Sequence, residues 1–559
     1  MSSFAPRSSL VAVAVALCLP LSLRAEGPIV LRDVSASTGI AFQHTDGSSG
    51  RRYIVEYIAS GIATFDYDGD GLVDIYFLNG RPLPGTPAPS EPPRNHLYRN
   101  LGGLRFADVT EQAGVGDAGF GLGVAVADFD NDGWPDLYLS NFGPKRLYRN
   151  NGDGTFSDVT DRAGVADGSK VGAGVAFLDI EGDGALDLYV ANYVNFTFRN
   201  HVARRIMGLL AYASPLDYAG VPDVLFRNNG DGTFTDVSAP SGIAAYAGTG
   251  MGMIAADYDD DGDTDVFVAN DVMPNFLFRN DGRGHFEEVG LLSGAAYEAT
   301  GAPHGNMGVE CADFDRDGRL DFFVTAYHRE PPVLFRNLGD GLFEDVTRIT
   351  GAGQGSYPHV KWGCGLVDFD NDGWKDVFIG CGHFDENIAL RDDTTSYMVR
   401  PVLLRNVGGK FVQVSASGGD GLSVPLVARG VAFDDLDNDG RVDVVVLNSR
   451  RPPSVLRNDS RSGHHWVQVQ LRGTTANRDG VGSRVRVIAG DLVQIDEVHS
   501  GRSYQSHFGS RLHFGLGRHS TIDRIEVRWL GGQWEVFEHV AVEAVVTLTQ
   551  GTGRPASPQ

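Results

Sequence analysis

Nine residues, DFDNDGWPD at 128–136, place aspartates at their first, third, fifth and ninth positions, and the chain carries this pattern seven times. The other copies are DYDGDGLVD (66–74), DIEGDGALD (179–187), DYDDDGDTD (257–265), DFDRDGRLD (313–321), DFDNDGWKD (368–376) and DLDNDGRVD (435–443), with starts 62, 51, 78, 56, 55 and 67 residues apart. Self-similarity at such spacings marks a repeat architecture, in which each unit buries its apolar face only against its neighbours. Carboxylates this close repel one another, so the loops are either solvated Asp-Gly turns or cages around a cation.

The residues after each loop separate helix from strand. An EF-hand carries a bidentate Glu at the twelfth position and a helix on either side. Here the twelfth residues are Phe77, Leu139, Val190, Val268, Val324, Ile379 and Val446, each inside a short apolar run such as LYLSN or VFVAN, and stretches such as GLGVAVA (121–127) precede the loops. The loops are therefore expected at bends between buried strands. Alternate residues point into such a turn, the glycine at position six permits the bend, and the ninth residue closes the cage with the carbonyl at seven.

The expected ligands are Asp66, Asp68, Asp70 and Asp74; Asp128, Asp130, Asp132 and Asp136; Asp179, Glu181, Asp183 and Asp187; Asp257, Asp259, Asp261 and Asp265; Asp313, Asp315, Asp317 and Asp321; Asp368, Asp370, Asp372 and Asp376; and Asp435, Asp437, Asp439 and Asp443. All are hard oxygen donors, which select Ca²⁺, up to seven ions, over zinc or copper.

Between the loops recur LYRN (97–100, 147–150), LFRN (225–228, 277–280, 334–337), LLRN (403–406) and VLRN (455–458), six of them followed by a turn and an aromatic strand, as in NNGDGTFSDVT (150–160). Four short strands per unit make the blade of a β-propeller, so the expected fold is all-β, a seven-bladed propeller over 29–460 with an insertion near 201–222. The last VLRN lacks its aromatic strand, while an orphan copy, VLRDVS (30–35), stands before the first loop, so the first strand is expected to complete the last blade.

Residues 464–551 lack such loops and alternate as strands do, with Val467, Val469 and Leu471, then Val485 and Val487, then Ile525, Val527 and Trp529. They are expected to form a small β-sandwich beside the propeller, with 552–559 as a tail. Arg7 precedes an apolar run at 10–23 that ends near Ala25, the pattern of a signal peptide over 1–25. The expected location is secreted, periplasmic or cell-envelope, and no later stretch is apolar enough to span a bilayer. Calcium outside the cytoplasm makes weak loops usable, with dissociation constants of about 10⁻⁴ to 10⁻³ M.

The formal charge of −25 argues against nucleic acid and an anionic membrane surface as partners and favours cations or basic partners. Seven loops of four carboxylates hold 28 of the 72 acidic residues, and seven Ca²⁺ would bring the charge to about −11. The mature chain keeps Cys311, Cys364 and Cys381, an odd number. Cys364 and Cys381 either face each other across a hairpin as a disulfide or are small core residues.

Residues from about 30 to 460 resemble the FG-GAP/VCBS repeats of integrin-type propellers. Through NRDGVGSRVRV (477–487), SGRSYQS (500–506), LHFGLG (512–517) and DRIEVRW (523–529), the tail resembles the ASPIC/UnbV domain of the cartilage acidic protein family. The resemblance implies calcium-binding blades and an extracytoplasmic protein. The chain departs from it in Glu181, which lengthens one ligand arm, in lacking the cysteine-rich calcium module of vertebrate members, and in having no Arg-Gly-Asp tripeptide.

Catalytic motifs are absent: there is no GxSxG elbow, P-loop, HExxH or dinucleotide fingerprint. His304 and His359 stand nine residues before Asp313 and Asp368, and His328 and His383 seven after Asp321 and Asp376. These equivalent positions on two neighbouring blades are expected on the face opposite the loops, either as a copper, iron or zinc site or as ordinary polar loop residues. The functional expectation is an exported, monomeric, calcium-binding propeller that presents one face to an extracellular protein or glycan. The alternative is a metalloenzyme of oxidative or tailoring chemistry built on the four histidines.

Overall fold

The computed structural model describes residues 27–87 and 89–556; the signal peptide expected at 1–25 lies outside them. Among the described residues are seven four-stranded antiparallel sheets, one for each acidic loop. In the second, Phe120–Ala127 pairs with Asp136–Phe142, which pairs with Arg146–Asn150 and then Phe156–Asp158. The loop 128–136 joins the first two strands, with Ala127 opposite Asp136 and Val124 opposite Leu139. The innermost strand is buried throughout because it has sheets on both sides, which is why it reads GLGVAVA and does not alternate.

The innermost strands stand side by side in a ring, each against the next and Ala428–Asp434 of the last sheet against Ile62–Phe65 of the first. Glycine permits the approach: a Cβ on Gly123 would lie 2.1 Å from the Ala173 carbonyl oxygen, and one on Gly430 would lie 2.9 Å from Cα of Gly61. Leu31–Asp33 is the outer strand of the last sheet, with Leu31 opposite Asn458 and Asp33 opposite Leu456. The first and last strands of the ring are thus joined in one blade, as the orphan VLRDVS predicts, and the fold is a β-propeller.

Beyond residue 464 a three-stranded sheet centred on His465–Arg472 faces a five-stranded one that includes Arg484–Ala489 and Arg524–Arg528. Val467, Val469, Val485, Ile525, Val527 and Trp529 fill the space between them, and that core runs on into Ala125, Phe129 and Val175 of the propeller.

This sandwich does more than lie beside the propeller. Its segment 499–509 enters the ring and touches the innermost strand of every sheet. His499 Nδ1 donates to the Ala255 carbonyl at 2.9 Å and Ser500 Oγ to that of Val126 at 2.6 Å. Ser503 bridges to Val309 and bonds Cys364, while His507 bridges to Ala63. Gly501 lies against Val175, and Ser506 against Gly430. Tyr504 fills the middle, its ring 5.0 Å from that of Trp362 and its hydroxyl donating to the Ile58 carbonyl at 2.7 Å. The three cysteines among the described residues are separate buried thiols, so Cys364 and Cys381 serve as small core residues. No described helix is long and apolar enough to cross a membrane.

Candidate metal centres

Each acidic loop is drawn tight by its own main chain. In loop two Asp128 accepts from the Asp132 N–H at 2.9 Å and the Gly133 N–H at 2.7 Å, and Asp132 accepts from the Trp134 N–H at 3.0 Å. Asp136 accepts from the N–H groups of Phe129 at 3.1 Å and Asn150 at 2.7 Å. The third position is different. Oδ1 of Asp68, Asp130, Asp259, Asp315 and Asp437 is buried without a hydrogen-bond partner. In loop four Asp257 Oδ1 and Asp265 Oδ2 share that condition, so three acidic oxygens there are buried and unpartnered.

These oxygens converge. In the groups Asp66/Asp68/Asp70, Asp128/Asp130/Asp136, Asp257/Asp259/Asp265, Asp313/Asp315/Asp321 and Asp368/Asp370/Asp376, one carboxylate oxygen from each residue lies within 4.8 Å of the others. Buried carboxylate oxygens left without donors, as on Asp257, Asp259 and Asp265, fit a hard cation and are costly without one. Loop three departs as its sequence does: Glu181 turns outward, its Oε1 3.7 Å from Arg227.

Burial sets the electrostatics. It pushes the Asp74 carboxyl up to about 8 against the pull of its main-chain donors, and Asp128 up to about 8 with Asp479 adding to the effect. Asp136, Asp265 and Asp376 are held well above the usual carboxylate range by burial and by neighbouring loop carboxylates. A cation in the cage would displace those protons.

The recurring Arg-Asn pair has a role that its sequence pattern alone does not disclose. Arg99 spans Asp68 and Asp70, and Arg149 spans Asp130 and Asp132. The asparagine side-chain amide donates to position two of the preceding loop, and in six cases also to position eight of its own. Asn150 reaches Pro135 and Tyr67, Asn280 reaches Thr264 and Ile180, and Asn337 reaches Leu320 and Tyr258. The recurrence of one RN pair after every loop was the available signal, although its distance from the loop varies from unit to unit.

The C-terminal domain also reaches the loops. Arg528 pairs with Asp257, Arg484 with Asp260 at 2.7 Å, and Lys375 of loop six with Asp496 at 2.8 Å. Asp479 accepts from the Asp128 N–H at 2.7 Å. None of these partners is marked by the repeat.

Two of the four histidines are direct neighbours. His328 and His383 have ring centres 5.9 Å apart, His328 Nε2 is 3.0 Å from Asp392, and His359 Nδ1 is 3.2 Å from Thr395 Oγ1. His304 lies within electrostatic reach of Glu298, and its Nδ1 is buried without a hydrogen-bond partner. His383 Nδ1 accepts from the Asp385 N–H at 2.9 Å, which places the ring's hydrogen on Nε2, a nitrogen buried without a hydrogen-bond partner.

The FG-GAP-like repeat model matches residues 66–139, 128–190, 216–268, 257–324 and 313–379, and the ASPIC and UnbV model matches 473–555. Cartilage acidic protein 1 of Homo sapiens is 27% identical over 485 residues, covering 85% of this chain and 60% of that protein. Its Xenopus tropicalis counterpart is 29% identical, covering 85% and 62%. The chain therefore spans less than two thirds of those relatives. Among solved structures, the BP39L lectin from Burkholderia pseudomallei is similar at a TM-score of 0.43 and 12% identity, covering 72% of this chain and 97% of that one.

Proposed function

We propose that this chain, which belongs to the FG-GAP-like repeat family and ends in an ASPIC and UnbV domain, is an exported, monomeric, calcium-binding propeller that acts as a binding module for an extracellular protein or glycan. Residues 29–460 form the propeller unit and 464–551 the second domain, whose inserted segment 499–509 holds the ring. Calcium stiffens the bends at one end of the blades. The observation that carries this reading is the gathering of Asp257, Asp259 and Asp265, three acids that each keep a buried carboxylate oxygen without a hydrogen-bond partner.

The opposite end is where the repeat is broken. The N-terminal segment brings Arg52 and Glu56, the insertion in the third unit brings Arg205, the long connection in the sixth brings Glu386, and the seventh brings Arg450. They surround one cleft of about 390 Å³. Arg52 and Arg450 both pair with Glu386, at 2.8 and 2.9 Å. Loops that depart from a rigid repeat and meet at one cleft are where a scaffold carries recognition. Glycan and extracellular-protein arrays probed with the calcium-loaded chain and with R52A/R450A test it. The reading expects a ligand retained by the wild type and lost by the variant; no ligand for either chain removes the module.

A further inference from the structure

Among the described residues, the insertion in the third unit holds the densest exposed apolar surface. Of twenty large hydrophobic side chains exposed among the described residues, six fall between 198 and 216: Phe198, Ile206, Met207, Leu209, Leu210 and Leu216. Arg204–Ile206 and Leu209–Ala211 form a two-stranded hairpin that pairs with no other sheet. Every residue from 203 to 210 is exposed, and Met207 at the tip is 77% exposed. An isolated two-stranded hairpin is marginal in water, and an apolar tip adds to its cost there. Such a feature calls for a partner that covers it.

Charge decides which partner. Between 198 and 217 stand Arg199, Arg204 and Arg205 against one acid, Asp217, which pairs with Arg204. This net cationic collar at the base of an apolar tip belongs to a chain whose formal charge is −25. The clustered acids lie elsewhere. The loops occupy the end of the ring where the C-terminal domain docks, while the insertion leaves the far end of Asp187–Asn192 and packs beside Tyr53 and Arg52. The seven acidic loops therefore do not face this end, and Glu386, which does, is paired with Arg52 and Arg450. An apolar tip with arginines behind it matches a lipid–water interface, where methylenes enter the acyl boundary and guanidinium groups meet phosphates.

We propose that the hairpin 204–211 is a membrane-docking element, which inserts Ile206, Met207 and Leu209 into the interface of an anionic bilayer with Arg199, Arg204 and Arg205 on the headgroups. It holds the recognition cleft against the bilayer, since Arg205 and Leu209 also line that cleft.

Flotation of the calcium-loaded chain with phosphatidylglycerol vesicles tests this, with phosphatidylcholine vesicles as the neutral control. Binding is expected to the anionic vesicles, weaker to the neutral ones, and to fall with salt. M207E/L209E is expected to abolish it. R204Q/R205Q is expected to weaken it about fivefold for each arginine removed. Both pairs are exposed, so unchanged melting curves separate loss of docking from loss of fold. Absence of flotation at low salt, or equal flotation of wild type and M207E/L209E, overturns the proposal. So does a wild-type dimer in analytical ultracentrifugation that M207E/L209E converts to monomer without any flotation, because a second copy would then cover the hairpin.

Discussion

The side-chain amide of Asn100 donates to the main-chain carbonyl of Leu436 at 2.8 Å, across 336 positions of sequence. The same amide holds the Val73 carbonyl at 2.9 Å, so one side chain ties loop one to loop seven. Asn150, Asn228, Asn280, Asn337, Asn406 and Asn458 each reach the preceding loop in the same way, at 2.7 to 2.9 Å. The rim is a closed chain of amides, and Asn100 is the link that joins its ends.

Asn100→Ala strands two buried carbonyls. It is expected to lower stability by about 1–3 kcal/mol, and Asn280→Ala, within the chain of amides, by a similar amount. Thermal melts in calcium check both. No effect in either would leave the amide chain without a structural role.

Arg502 and Glu310 form a buried pair inside the ring, at 2.6 Å, with Glu310 fully buried. Arg502→Met leaves that carboxylate without its partner and is expected to cost about 3–5 kcal/mol, whereas R502M/E310L, which removes both charges, recovers most of the loss. Denaturant unfolding of the two variants reads the difference. Equal destabilisation of both would mean that the segment 499–509 is held by packing alone.

In the calcium-loaded propeller proposed above, calcium and protons would compete for the same oxygens. Asp74 and Asp128 are pushed up to about 8 in the fold by burial, against about 3.9 in an unfolded chain. Their contribution to the chelated protein is therefore fully present below about pH 4 and lost as pH rises through 8. Calcium reverses this by favouring the ionised form. Binding at pH 7 is expected to release protons, and the stabilisation by calcium to grow from pH 6 to 9. Titration calorimetry in buffers of different ionisation enthalpy measures the release, and none at all contradicts the prediction.

His499 and His507 are lowered to about 3, by burial first and then by Arg502. They are neutral in the fold and titrate near 6.5 when unfolded, so their contribution is present above about 6.5 and lost as pH falls toward 3. With calcium saturating, stability at pH 5 is expected to be lower than at pH 7 by about 2 kcal/mol for each. His507→Gln is expected to flatten the dependence; an unchanged slope would place the acid sensitivity elsewhere.

Much of the fold is legible because it is written locally. Asp136 and the apolar run after it announce a bend entering a buried strand, and the orphan VLRDVS announces a strand borrowed by the last sheet. These are periodic signals, and each blade repeats them. The inserted segment is not legible in that way. Gly501, Ser503 and Tyr504 sit in a polar stretch with no strand pattern, and their burial follows from contacts with seven strands distant in sequence. Likewise Arg528 against Asp257, or Asp479 against Asp128, is decided by how two domains meet. The proximity of His328 to His383 follows from equivalent blade positions, whereas the His383 tautomer depends on a single N–H from Asp385 that no spacing encodes.

The central claim is that divalent ions neutralise the clustered carboxylates at the bends of the ring. Elemental analysis of the chain after equilibration in calcium and removal of free ion, paired with melting curves before and after EDTA, tests it most directly. Several bound Ca²⁺ per chain are expected, approaching one for each acidic loop, with a melting temperature that drops by many degrees on chelation. A calcium-free chain whose melting curve EDTA leaves unchanged would contradict it.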